Sequence, residues 1–206
     1  MKLTKQAPKG FTLVEILIGV AILAMLAAGM WVAVGSFEDK KLRKKAETEV
    51  AYLVTCMNEY RTDNGGILPF GRGDEESSNI MYRALSFDEN GDGEPDNIKG
   101  VTRMPYCPTF NVIKNPKEAE QGEGIPVLKA SIRTKTKGRK KMLVIVDPWG
   151  RPYRYRLGCE AEDERGKTGE GVNGDFDIFS QGPDGKGDST NKSVDNEDNI
   201  SNIKFW

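Results

Sequence analysis

Two groups of acidic residues stand where they could do chemistry. Glu15 is a carboxylate inside a run that is otherwise apolar except for Thr12, FTLVEILIGVAILAMLAAGMWVAV from Phe11 to Val34. An ionisable group in such a run costs free energy unless a partner neutralises it, so it marks a functional position by default. The other group lies in loops. Asp88, Asn90, Asp92 and Asp96 fall at positions 1, 3, 5 and 9 of a segment with Gly93 at position 6, the spacing by which a calcium loop wraps a hard cation. Position 12 is Lys99 instead of a bidentate acid, and the competing reading is a solvated acidic turn. After Ser180 come Asp184, Asp188, Asn191, Asp195, Asn196, Glu197, Asp198 and Asn199, oxygen donors with little apolar content among them. Such a segment cannot order itself by burial. A calcium ion, which gathers six to eight oxygens, would order it; the alternative is a disordered acidic tail.

Composition removes other chemistries. The 206 residues contain no histidine, so the commonest general base and transition-metal ligand are missing. Formal net charge is −1 with 30% charged residues, so no basic excess points to nucleic acid as a partner. Enzymatic activity would need a carboxylate pair, and the acidic residues here sit in turns. The three cysteines, Cys56, Cys107 and Cys159, match no zinc spacing and form at most one internal bridge. If this part of the chain lies outside the cytoplasm, the reading pairs Cys107 with Cys159, because Cys56 falls in a predicted helix. The competing reading is buried free thiols.

The element that carries Glu15 is long enough to span a bilayer, since about 20 apolar helical residues suffice. Ten residues with Lys2, Lys5 and Lys9 precede it. A secretory signal peptide or a plain signal anchor would share this layout. The apolar run exceeds a signal h-region in length, however, and neither alternative accounts for Glu15. If the leader is cut after Gly10, a new α-amino group arises on Phe11, four residues before Glu15. Glu15 of one copy could then neutralise the amine of its neighbour and set the axial register of a helical bundle. Past the membrane, Leu42, Ala46, Val50, Leu53, Val54 and Met57 form one stripe of an amphipathic helix, with Lys44, Lys45, Glu47, Glu49 and Glu59 opposite. Asp63-Asn64-Gly65-Gly66 stops it.

Lys9-Gly10-Phe11-Thr12-Leu13-Val14-Glu15 closely resembles the cleavage and methylation signature of type IV pilins and type II secretion pseudopilins. The resemblance implies a membrane peptidase that cuts between Gly10 and Phe11, N-methylation of Phe11, and a role for Glu15 in assembly. Many relatives carry a proline two-thirds along the apolar helix, where this chain has Val32. Basic residues at 40–45 outnumber the leader lysines, against the positive-inside tendency, and the cleavage signature decides the orientation: leader in the cytoplasm, remainder outside. Tyr60 to Gly65, Asp147-Pro148-Trp149-Gly150-Arg151-Pro152-Tyr153 and Gly174 to Gly185 resemble, in order, the helix end, turn and last strand of the major pseudopilins of type II secretion. In that family a loop after the final strand binds calcium through aspartates. The matching positions are Asp184, Asp195, Asp198 and Asn199, the last where relatives tend to have aspartate.

The expected architecture is α+β: a long N-terminal helix packed on a small antiparallel sheet. Residues 1–10 are the leader, 11–35 the membrane and filament-core helix, 36–64 its amphipathic continuation, and 65–206 the head. The head includes an insertion at 66–125 and the acidic loop 181–200. A short helix near Ser77–Phe87 and strands at Val127–Thr134, Met142–Val146, Tyr153–Leu157 and Phe176–Ser180 are expected from periodicity and turn signals. The implied function is a structural subunit of a secretion pseudopilus in the bacterial inner membrane, head in the periplasm. It would assemble with itself and other pseudopilins after processing by prepilin peptidase, at an inner-membrane platform driven by a cytoplasmic ATPase. A type IV pilus subunit, or a binding module on a pilin anchor, is the alternative.

Overall fold

The computed structural model describes residues 10–98, 101–134, 138–186 and 200–202, with side chains at 27–36, 98, 101 and 102 left aside. Helix α1 runs Leu13–Asp63, two residues inside the expected start, and two compact units divide between Lys40 and Lys41. In the first unit every described side chain from Phe11 to Leu26 is exposed, including Phe11, Leu13, Leu23 and Met25. A helix apolar all round has no face to turn to water. Among the described residues no helix is long and apolar enough to cross a membrane, and the expected span continues into 27–36.

In the second unit the expected stripe becomes the buried face of α1. Ala46, Val50, Leu53, Cys56 and Met57 are at most 3% exposed, with Val54 packed at the margin. The helix ends where the left-handed glycines begin: the Gly66 N–H donates to the Arg61 carbonyl at 2.8 Å. Glu49 departs from expectation. It lies 5% exposed instead of on a solvated face, because the region 106–125 covers that flank of the helix. Lys45, on the same flank, donates to the carbonyls of Ala119, Glu120 and Gly122 at 2.8–3.3 Å, and so caps the C-terminal end of the short helix α3, Glu118–Gln121.

Helix α2, Glu75–Ser86, begins on Asp74, whose carboxylate accepts from the Ser77 N–H at 3.0 Å, and stops at Phe87 in the left-handed region. Its polar residues are buried because they satisfy strand carbonyls: Ser78 Oγ donates to Ile145 O at 2.9 Å and Asn79 Nδ2 to Leu143 O at 2.7 Å. Met81, Tyr82 and Leu85 on α2 join the main core. The region 66–125, read from sequence as an insertion, thus supplies core.

The strands are β1 Asn97–Ile98, β2 Val101–Thr102, β3 Phe110–Ile113, β4 Ile125–Thr134, β5 Gly138–Ile145, β6 Arg154–Leu157, β7 Phe176–Ser180 and β8 Ile200–Ser201. Among the described residues they form three small sheets: β1-β2, β3-β4-β5 and β6-β7-β8. The α+β class is as expected, but the sheet content is mixed, since β3 and β4 run parallel. The crossover between them, which carries α3, makes that pairing possible. Three fully buried tyrosines hold the layers together through their hydroxyls. Tyr82 donates to Asp88 at 2.8 Å, Tyr153 to Glu49 at 2.7 Å and Tyr155 to the Pro69 carbonyl at 2.8 Å.

Glu49 makes a pH-dependent contribution. Burial raises its pKa from 4.5 to about 7 against the pull of the Tyr153 hydroxyl, and its Oε1 has no hydrogen-bond partner. The folded state therefore binds this proton more tightly than the unfolded chain. Its contribution to stability falls as pH rises from about 4.5 to about 7, by on the order of 3 kcal/mol at most, and is level above that. Glu49→Gln keeps an acceptor for Tyr153 and cannot titrate. Urea melts at pH 5 and pH 8 should show the variant gaining on wild type at the higher pH; equal differences at both would contradict the assignment.

Candidate assembly site

The segment Gly10 to Glu15 is organised as a helix N-terminus. Glu15 Oε2 accepts from the Thr12 backbone N–H and from Thr12 Oγ1, each at 2.8 Å, while the Glu15 N–H donates to Thr12 Oγ1 at 3.3 Å. This is a capping box: the third residue of the helix reaches back to the cap, and the cap returns a bond to the helix. The Thr-x-x-Glu spacing was visible in the sequence, yet the reading from apolar context passed over it. The box holds the carboxylate at the Phe11–Thr12 peptide instead of letting it trail along the helix, and it supplies two donors to a charge in an apolar stretch. Gly10 and Phe11 are both exposed, Phe11 by 83%.

The head has its own polar centre at Asp147, which is fully buried. Its Oδ1 accepts from the N–H groups of Trp149 at 3.1 Å and Arg151 at 2.9 Å, and its Oδ2 from Ser180 Oγ at 2.6 Å. Burial pushes the Asp147 carboxyl up, and the Ser180 and Arg151 bonds pull it back. Gly150 closes the turn by donating to the Asp147 carbonyl at 2.8 Å, at φ 79°; a Cβ there would press to 2.7 Å from Pro116. Arg151 then reaches across, with Nη1 on the Gly182 carbonyl and Nη2 on that of Pro183 at 3.0 Å. The Asp-Pro-Trp-Gly turn is therefore the clamp on the strand that leads into the acidic loop.

The other end of that loop is fixed too. Strand β8 pairs with the end of β7, Ile200 opposite Ser180. Asn202 takes the Ile178 N–H on its Oδ1 at 2.7 Å and donates through Nδ2 to the Phe176 carbonyl at 3.0 Å. Both ends of the segment 181–200 thus meet at Ser180. Asp184 stands exposed at the start, its Oδ1 accepting from the Lys186 N–H at 2.8 Å. Asp195, Asp198 and Asn199 lie outside the described residues.

The second expected cation loop is differently built. Asp88 is fully buried, and its oxygens take the N–H groups of Gly91, Asp92 and Gly93 together with the Tyr82 hydroxyl. Asp96 accepts from the Glu89 and Asn90 N–H groups and from the Asn90 amide. The carboxylates are saturated by their own loop and do not fit a calcium ion. Among the described residues no group of three or more acidic or thiol side chains converges to hold a metal. The cysteines also correct the sequence reading. Cys159 is exposed with its thiol toward the Asn173 carbonyl, whereas Cys107 is buried beside Cys56.

An exposed apolar helix headed by a capped glutamate, continuing into a helix packed on small sheets, is the arrangement that the resemblance to type IV pilin-like subunits implies. The prokaryotic N-terminal methylation motif matches residues 5–31. Across 197 residues the chain is 26% identical to the type II secretion system core protein G of Pseudomonas aeruginosa, covering 95% of this chain and 99% of that protein. The chain is thus similar to the major pseudopilin of type II secretion systems over nearly its whole length. No solved structure matches it.

Asp147→Ala leaves three donors without their acceptor in a buried place. The expected loss is about 3 kcal/mol in chemical denaturation, with faster proteolysis beyond Ser180. Asp147→Asn, which keeps the shape and one oxygen, should lose less. Equal stability of Asp147→Ala and wild type would contradict the clamp.

Proposed function

We propose that this chain is a structural subunit of a type II secretion pseudopilus. Prepilin peptidase cuts between Gly10 and Phe11, the Phe11 amine is methylated, and the subunit waits in the bacterial inner membrane with its head in the periplasm. The assembly platform stacks it with its own copies and other pseudopilins into a filament that promotes protein export. The work comes from a cytoplasmic ATPase, and the chain itself catalyses nothing.

The observation that carries this reading is Glu15 capped on Thr12 at the head of the apolar helix, in a chain 95% of which aligns with a type II secretion core protein G. Cleavage frees a cationic amine at Phe11, and the capping box already holds an anion on the same end of the helix. In an apolar bundle two such charges are costly apart and are compensated only when paired between neighbours, so register follows from electrostatics. Glu15→Ala should still be processed and inserted but should fail to enter sheared or sedimented filaments. Filaments in wild-type yield from that variant would remove the pairing.

We further propose a structural calcium ion in the loop 181–200, held by Asp184, Asp195, Asp198 and Asn199. The support is that both ends of a donor-rich loop are pinned at Ser180, so ordering it costs less chain entropy than ordering a free tail. A chelator should lower the Tm of the purified protein and speed cleavage beyond Ser180, with calcium restoring both. A melt and digest that ignore chelation would sink the proposal.

A further inference from the structure

Two thiols the assembly reading does not use lie side by side in the core of the head. Cys56, on the buried face of α1, is 2% exposed, and Cys107, in the irregular segment between β2 and β3, is 1% exposed. Both belong to the same apolar cluster, and the segment that carries Cys107 runs along α1 past Cys56, with Tyr106 against Tyr60 on one side and Thr109 beside Tyr52 on the other. The segment around Cys107 leans on α1 throughout. Tyr106 donates to Asp63 at 3.1 Å and meets Tyr60 edge-on at 5.5 Å between centroids, while the Cys107 N–H donates to the Leu85 carbonyl at 3.3 Å. Just before it, Met104 is 87% exposed, so this stretch of the segment has little burial of its own to hold it down.

We propose that Cys56 and Cys107 are joined by a disulfide in the mature protein, fastening the segment before β3 to helix α1. The proposal rests on the reading that places the head in an oxidising compartment. A metal site is a poorer account of the pair, since two thiols are too few ligands and no third acidic or thiol group joins them among the described residues. Cys159 is the odd thiol, exposed and turned toward Asn173.

The chemistry is thiol–disulfide exchange with a disulfide-bearing oxidant, either a protein oxidoreductase or a small-molecule disulfide. Cys56, as its thiolate, attacks first, and the reverse order gives the same product. Its thiolate breaks the oxidant's S–S bond and expels one sulfur, which leaves as a thiol. Cys107, deprotonated, then attacks the Cys56 sulfur of the mixed disulfide and expels the second. Two protons and two electrons pass from the cysteine pair to the oxidant. The burial of both sulfurs places this exchange before the segment packs down.

The test uses the full chain in detergent, in two arms. In one, cells are quenched with a thiol-blocking reagent before lysis, and linked peptides are mapped by mass spectrometry without reduction. In the other, purified protein is reduced and unfolded in urea, refolded with oxidised glutathione, and mapped in the same way. The expected result in both is a Cys56–Cys107 peptide pair and one alkylatable thiol, Cys159. Reduction should lower Tm by about 5–10 °C, since the bridge closes a loop of roughly 50 residues. Cys159→Ser should leave that shift intact, and Cys107→Ser should abolish it. A bridge formed by glutathione but absent from quenched cells would overturn the placement of the head on which the proposal rests. Three free thiols in both arms, or a bridge through Cys159, would overturn the pairing itself.

Discussion

Apolar surface that a chain cannot bury by itself governs this molecule. From Phe11 to Leu26 every described side chain of the first unit is exposed. Each large aliphatic or aromatic side chain so placed forgoes about 1.5–3 kcal/mol of burial, and the sum over such a segment is far beyond what a folded head could offset. The missing contacts must come from lipid or from other copies. Glu15 fits that constraint: its capping box gives the carboxylate two donors at the head of the helix. An apolar helix with an uncapped carboxylate would be worse off both in lipid and in a bundle.

The second unit solves the opposite problem. It has a full core, but it threads carboxylates through it at five places: Glu49, Asp88, Asp147, Asp163 and Asp177. Each is held by named donors. Asp177, for instance, takes the N–H groups of Val172 and Asn173 at 2.6 and 2.9 Å. These carboxylates organise turns that apolar packing alone would leave undefined, since backbone N–H groups in a tight loop have few other acceptors. Glu49 is the exception. It receives one hydroxyl and leaves an oxygen unpaired, and burial raises its pKa to about 7.

The regular elements were legible where periodicity was strong. The stripe from Ala46 to Met57, the stop at Asp63-Asn64-Gly65-Gly66 and strands β4 to β7 follow from apolar spacing and turn residues alone. The short pieces were not legible: β3 has a parallel partner eleven or more residues away, and β8 is two residues long, so neither leaves a local signal. Glu49 misled because a helical wheel shows one apolar face and cannot show that a second layer covers its edge. Cys107 misled for the same reason, since only the fold brings a loop cysteine against a helical one. The Asp88 loop has calcium spacing but places its first carboxylate inside the protein, and spacing carries no information about burial. At the head of α1 the opposite holds: Thr12 and Glu15 bond within one turn of each other, so the Thr-x-x-Glu spacing alone carries the capping box.

The central claim is that this pilin-like chain serves protein export. The extracellular protein profile of a strain lacking it, with surface pili and twitching scored in the same culture, tests that claim most directly. The account predicts that secreted proteins are lost from the medium while pili and motility persist. Loss of pili with secretion intact would contradict it and make the chain a pilus subunit.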